Sequence, residues 1–341
     1  MLELADALLP ALRAGEAVAV VTVTRVARSA PRGPGAAMAV LADGSVVGSI
    51  SGGCVEGDAV LLATGALATG RAVTATLGYS DDAAHAAGLA CGGSVDVIVH
   101  RIDPTDAAAR AALEAPGDRR TRVGIVLEGP HVGEIVPGDA LVGDGAFVEH
   151  DGARTVVVSR EPRPHLIVAG AGEHAIALAR VASAAGYTVT VSDVWERLVT
   201  PGRFPTADRL IVGVPADTLP ALVGDAWTAV CVLSHDERVD VPALAAALSA
   251  GADFVGAMGA RSTVAHRARL LAEAGVAAGD IARIHSPLGL DLGGSSPEET
   301  ALSVLAELTA ARHGGTGAPL RATRGAIHAR AAAPACTPVA R

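Results

Sequence analysis

The pattern of apolar and polar positions changes once along the chain. Up to about residue 158 the apolar stretches are short and mostly of strand type. Residues 17–27 (AVAVVTVTRVA) form a nearly unbroken apolar run, expected for a strand buried on both faces. Residues 36–41 and 45–50 flank Ala42-Asp43-Gly44, a hairpin pattern. Strands are also expected at 71–77, 95–100, 123–127 and 155–158, and helices at 55–69 and 106–114. The opening segment MLELADALLPALRAGE reads as a short amphipathic helix, without the flanks of a signal peptide. Arg160-Glu161-Pro162-Arg163-Pro164 then breaks the pattern.

Beyond this break, strand and helix alternate. Strands are expected in HLIVAGAG, YTVTVSDV, RLIVGVP, TAVCVLSH and ADFVGAMGA, with helices at 173–185, 241–250 and 262–274. Such alternation implies a parallel sheet covered by helices. Ser296-Pro297-Glu298-Glu299 is a capping box with proline in first position, opening a helix to about residue 311. The fold class expected is α/β: a smaller N-terminal α+β domain (1–158), a linker (159–164) and a Rossmann-like, doubly wound domain (165–313). A disordered tail (314–341) follows. Two domains suit 341 residues at roughly 150 per domain.

Composition narrows the chemistry. Half of the residues are hydrophobic but only 2% aromatic, so the cores must be aliphatic. The chain has no Lys, Asn or Gln, and its 27 basic residues are all Arg. This excludes a P-loop lysine, a Schiff-base lysine and a lysine general base. It also excludes N-glycosylation and amide-mediated recognition. Net charge −9 argues against a nucleic-acid binder, and no run of 18 apolar residues suggests a membrane span. A cytoplasmic location is expected.

Three groups of residues carry candidate chemistry. The first is Gly170-Ala171-Gly172-Glu173-His174-Ala175, a G-x-G-x-x-A turn between strand and helix. Gly170 and Gly172 would let the backbone approach a pyrophosphate at a helix N-terminus. His174 would contact the anion or face solvent. Asp193, at the end of the next strand, stands where a ribose-binding acid is expected. A Rossmann scaffold that binds something else remains the alternative. The second group comprises Ser51-Gly52-Gly53-Cys54-Val55-Glu56 and Cys91-Gly92-Gly93. A cysteine at a helix N-terminus is favoured as thiolate, and paired glycines can form an anion-binding concavity. The bland reading is two small buried cysteines, with Glu56 either a helix-start charge or a site residue. Neither C-x-x-C nor H-E-x-x-H occurs, so no zinc site is expected.

The third group lies at later strand ends: His235 and Asp236, then Gly256, Gly259 and Arg261, then Pro287, Gly289 and Asp291. These are read as the lining of one cleft, in which Arg261 grips an anion. Ordinary strand-end turns are the alternative. Ser234-His235-Asp236 is no hydrolase triad, because adjacent residues cannot form that relay.

The stretches SGGCVEGD, ACGGSVDV, GAGEHA, VLSHD, FVGAMGARS and SPLGLDLGGSSPEETALSVLAE, in this order, resemble the XdhC/CoxI family, accessory proteins of xanthine dehydrogenase and carbon monoxide dehydrogenase. The resemblance implies a protein that binds molybdenum cofactor, as molybdopterin or its cytosine dinucleotide form, and protects or assists its sulfuration. It then delivers the cofactor to a molybdenum hydroxylase apoenzyme, with a cysteine desulfurase as a further partner. On that resemblance Cys54 and Cys91 lie near molybdenum or its sulfur. A homodimer is expected. The competing reading is an NAD-dependent oxidoreductase resting on Gly170 and Asp193, with His235 its sole attractive acid–base residue. A third is a protein-binding chaperone with a vestigial cleft.

Overall fold

A computed structural model describes residues 1–27, 31–78 and 93–324. They form two compact units, Met1–Pro162 and one beginning at Arg163.

The first unit contains α1 (Ala5–Arg13), β1 (Val18–Ala27), β2 (Ala37–Val40), β3 (Val46–Gly48) and α2 (Glu56–Thr69). After these come β4 (Val73–Gly78), β5 (Ser94–Ile102), α3 (Ala107–Glu114), β6 (Thr121–Val126), β7 (Ile135–Pro137), β8 (Phe147–His150) and β9 (Ala153–Arg160). They build two antiparallel sheets, β3-β2-β1-β5-β4 and β7-β6-β9-β8. Val18, Val20 and Ile98 of the first sheet share a core with Val123, Ile125 and Val156 of the second and Leu8 and Leu12 of α1. On the opposite face of the first sheet, Val21, Val23, Val97 and Val99 meet Ala59, Ala63 and Ala66 of α2. With both faces covered, β1 is buried without alternation over its first seven residues, which is why it reads as a continuous apolar run.

The second unit contains β10 (His165–Ala169), α4 (Glu173–Ala184), β11 (Thr188–Asp193), β12 (Arg209–Val212), β13 (Thr228–Val232) and α5 (Glu237–Ser249). Then follow β14 (Phe254–Ala257), α6 (Arg261–Glu273), β15 (Ile284–His285) and α7 (Pro297–His313). All six strands are parallel, in the order β12-β11-β10-β13-β14-β15. α4 and α7 pack on one face through Leu178, Ala182, Val304 and Leu308; α5 and α6 pack on the other through Leu244, Ala247 and Leu271. The sheet is thus doubly wound, and its order reverses beside β10, where such folds hold ligands at the carboxyl edge. The capping box of α7 is formed: the Glu299 N–H donates to Ser296 Oγ at 3.2 Å, and Ser296 N–H to Glu299 Oε2 at 3.2 Å.

Several boundaries differ from the sequence reading. Ser159 and Arg160, expected in the linker, end β9, and the Arg160 guanidinium donates to the Leu2 and Ala115 carbonyls. α5 begins at Glu237 rather than 241, because Asp236 caps it. β7, β8 and β15 have no counterpart among the expected strands; two to four residues are too few to show a period. At the expected tail, Gly314 closes α7 and Leu320–Ala322 forms a short 3-10 helix, so the described chain retains local structure there. Residues 325–341 lie outside the described residues.

His100 of β5 is fully buried among the aliphatic residues of the first unit. Burial, aided by the nearby Met1 ammonium, lowers its pKa to about 4, and neither ring nitrogen has a hydrogen-bond partner. The unfolded chain regains the ordinary value near 6.5, so it binds the proton first as pH falls. The His100 contribution to stability is complete above pH 6.5 and drains away towards pH 4. Chemical denaturation should show a less stable protein at pH 5 than at pH 7, with a smaller difference in His100→Leu.

Candidate functional site

The first glycine-cysteine loop is closed around one carboxylate. Glu56 Oε1 accepts from Ser49 Oγ (2.7 Å) and from the N–H groups of Ser51 and Gly52 (both 2.9 Å). Oε2 accepts from the N–H groups of Gly53 (2.8 Å) and Val55 (3.2 Å). Positive φ at Gly52 (137°) and Gly53 (119°) turns these N–H groups inward, a conformation that a side chain would strain. The concavity expected for an external anion is thus filled by the chain's own anion, which corrects the sequence reading. Partial burial acts to raise the Glu56 pKa, but the hydrogen bonds from Gly52, Ser49, Ser51 and Gly53 outweigh it and bring the pKa to about 2. Cys54 is exposed on this loop, so the buried-hydrophobe reading fails for it. Cys91 and Gly92 lie outside the described residues; Gly93 leads directly into β5.

The turn at 170 follows the same pattern. Gly170 is required by packing: a Cβ there would stand 2.8 Å from the Ser234 nitrogen. Asp193 is buried, and its carboxylate accepts from the N–H groups of Ala171 (2.7 Å) and Trp195 (2.9 Å). Expected to receive a ribose hydroxyl, Asp193 braces the turn; it is one of the two features, with Gly170, on which the NAD reading rests. Arg203 crosses the turn, donating to the Ala171 carbonyl and to Glu173 Oε1, each at 3.2 Å. Gly172 caps α4 with open space where a side chain would be, and His174 is half-buried beside it.

Two of the three strand-end loops do meet. Gly259, Arg261, Pro287, Gly289 and Asp291 line one groove of about 610 Å³, together with Ser262 and Leu290. Arg261 is exposed at the first position of α6, whose first turn carries no acid. His235 and Asp236 are not part of this groove. His235 is exposed, while Asp236 caps α5 and pairs with Arg238 (2.7 Å). Gly256, expected to admit a ligand, is an internal packing position: a Cβ there would collide with the Leu288 side chain. Gly289 donates its N–H to Glu307 Oε2 (2.6 Å), whose other oxygen pairs with His285 Nδ1 (2.8 Å).

Three residues that the sequence does not single out hold these loops. Arg267 of α6 donates to the Met258 carbonyl (2.8 Å) and to Ser286 Oγ (2.9 Å), and lies 4.0 Å from Asp240. Asp240 accepts from Ser234 Oγ. The third is Glu307, a charge on the flank of α7 beside buried Val304 and Leu308. That placement is the signal that could have found it. Asp240 is obscured because the expected start of α5, at 241, leaves it outside the helix.

A Rossmann-type doubly wound sheet, glycine-rich at its carboxyl edge and following an antiparallel two-sheet unit, defines the class. Residues 166–308 match the family described as "XdhC Rossmann domain", and residues 11–79 match the "XdhC and CoxI family". The chain belongs to the XdhC/CoxI family. It is 27% identical over 316 residues to a probable xanthine dehydrogenase subunit of Bacillus subtilis (strain 168), covering 87% of this chain and 94% of that protein. It is 28% identical over 304 residues to the molybdenum cofactor insertion chaperone PaoD of Escherichia coli (strain K12), covering 89% and 86%. A crystal structure of a xanthine dehydrogenase from Bacillus halodurans superposes with a TM-score of 0.73 at 22% identity, covering 92% of this chain and 96% of that one.

Glu56→Ala leaves several turn donors without an acceptor and should destabilise the first unit by about 1–3 kcal/mol in chemical denaturation. Arg267→Ala strands the buried Asp240 carboxylate, at a cost on the order of 3 kcal/mol. Pairing it with Asp240→Leu should recover part of that loss.

Proposed function

We propose that this protein is a molybdenum-cofactor accessory protein, a carrier that hands the cofactor to a molybdenum hydroxylase apoenzyme. The observation that carries this reading is the groove formed by Gly259–Ser262 and Pro287–Asp291, within the stretch matched to the XdhC Rossmann domain. The name of the Escherichia coli relative supplies the cargo class, and that of the Bacillus subtilis relative the class of recipient enzyme.

The groove fits such a cargo chemically. Its cation, Arg261, stands at the N-terminus of a 13-residue helix, where free N–H groups and the helix dipole favour a phosphate or pyrophosphate. Asp291 offers a carboxylate to the N–H edge of a pterin ring. These donors and acceptors suit the organic part of the cofactor. The turn at Gly172 is a second place for the anion if the dinucleotide form is carried. Cys54 is the thiol we assign to the metal or its labile sulfur, with Cys91 as its counterpart. Sulfuration would then draw on a cysteine desulfurase as donor. This carrier role needs no lysine and no general base.

The protein should be purified from cells able to make molybdenum cofactor, and its pterin released and quantified by fluorescence. Near-stoichiometric pterin is expected, with Arg261→Ala retaining about tenfold less, the loss of roughly 1.4 kcal/mol from one ionic contact. A pterin-free protein that also takes up none in vitro would overturn the reading. Unchanged retention in Cys54→Ala would remove that thiol from the role.

A further inference from the structure

The two sheets of the first unit enclose an aliphatic core at one end and a polar hollow at the other. β1 carries a bulge: its register passes from Val23 opposite Val97 to Arg25 opposite Asp96. Regular alternation would send Arg25 towards α2 with Ala19, Val21 and Val23. The extra residue, Thr24, turns Arg25 to the opposite side, beside Asp96. Thr74 and Thr76 of β4 stand opposite Ile98 and Asp96. Leu127, Glu128 and Arg154 close the hollow from the second sheet's side. Its volume is about 400 Å³, many times the ~30 Å³ share of one water.

Two arginines, Arg25 and Arg154, and two carboxylates, Asp96 and Glu128, line the hollow, equal in number but not paired alike. Asp96 Oδ2 accepts from Arg25 Nε (2.7 Å), and Oδ1 from Thr76 Oγ1 (2.7 Å), so its carboxylate is fully engaged. Arg154 is different. Its guanidinium lies 4.4 Å over the Phe147 ring and, among the described residues, reaches no carboxylate; Glu128 accepts from its backbone N–H instead (3.2 Å). Burial acts to raise the Asp96 pKa, yet the Thr76 hydroxyl, Arg25 and Arg154 hold it below the usual range, so the charge of Arg154 is felt in this space.

We propose that this hollow is a second binding site, separate from the groove of the Rossmann unit, for an organic phosphate monoester. Arg154 and the Nη groups of Arg25 grip the phosphate, and the Thr74 hydroxyl adds one donor. The ring of Phe147 holds Arg154 flat and ready, so little side-chain freedom is lost on binding. Two guanidinium forks, of which only the Arg25 Nε is used within the hollow, offer more donors than a carboxylate's two oxygens can use. A phosphate monoester has three terminal oxygens and close to two charges at neutral pH. The room beyond a bare anion accommodates the organic body.

The test is calorimetric titration with phenyl phosphate and with inorganic phosphate at low salt. It is done on full-length protein carrying Arg261→Ala, so that the groove of the second unit does not contribute. Phenyl phosphate should bind, and adding Arg154→Ala or the charge reversal Arg154→Glu should weaken it at least tenfold without altering the circular dichroism spectrum or melting temperature. Absence of binding, or binding within twofold after either Arg154 change, overturns the site. Equal affinity for inorganic phosphate overturns the assignment of an organic ligand. Because the Arg154 changes are the readout and Arg154 has no part in the cofactor-carrier reading, failure here is distinguishable from failure of that reading.

Discussion

Glu56 gathers five hydrogen bonds from residues 49–55, Asp193 takes one from Ala171 of the turn at 170 and one from Trp195, and Glu307 joins Gly289 to His285. In each case an internal carboxylate holds a glycine-containing turn by its N–H groups. The constraint behind this is compositional. Without Asn or Gln, side-chain acceptance falls to Asp, Glu, Ser, Thr and His. A turn with several inward N–H groups needs an acceptor with several lone pairs, and a carboxylate is the strongest available. The turns are therefore preformed by the protein itself rather than waiting for a ligand to order them.

On the proposed reading, external anions are met chiefly by arginine. Arg261 at α6 and Arg154 in the hollow of the first unit are placed by the fold without a carboxylate hydrogen bond among the described residues. Arg267 and Arg203 serve the structure, pinning carbonyls and carboxylates beneath the loops. The same residue type thus divides into clamps within the fold and exposed cations without a carboxylate hydrogen bond, the latter being those proposed to meet ligands. Arg267, 13% exposed at its side chain, exemplifies the first kind; it is six positions along the same helix from exposed Arg261.

The parallel sheet is legible in the sequence because its strands are apolar on both faces and its helices follow at regular intervals; the capping box at Ser296 places the start of the last helix to the residue. β1 is legible for the same reason. The short strands β7, β8 and β15 carry too few residues for any period. The groove is half legible. Gly259, Arg261, Gly289 and Asp291 stand out by motif, whereas Arg267 and Asp240 act through tertiary contacts between α5, α6 and the loop at Ser286. The roles of Glu56 and Asp193 escape the sequence for a common reason. A glycine turn that can bind an external anion and one that binds an internal carboxylate have the same local sequence, and only the distance from N–H to oxygen separates them.

That distinction is measurable by amide hydrogen exchange, resolved residue by residue, on the protein with and without molybdenum cofactor. The account predicts that the Gly52 and Gly53 amides exchange slowly in the free protein and are unchanged by cofactor, while those of Arg261, Ser262 and Thr263 slow on binding. Rapid exchange at Gly52 and Gly53 in the free protein, slowed only by cofactor, would contradict it.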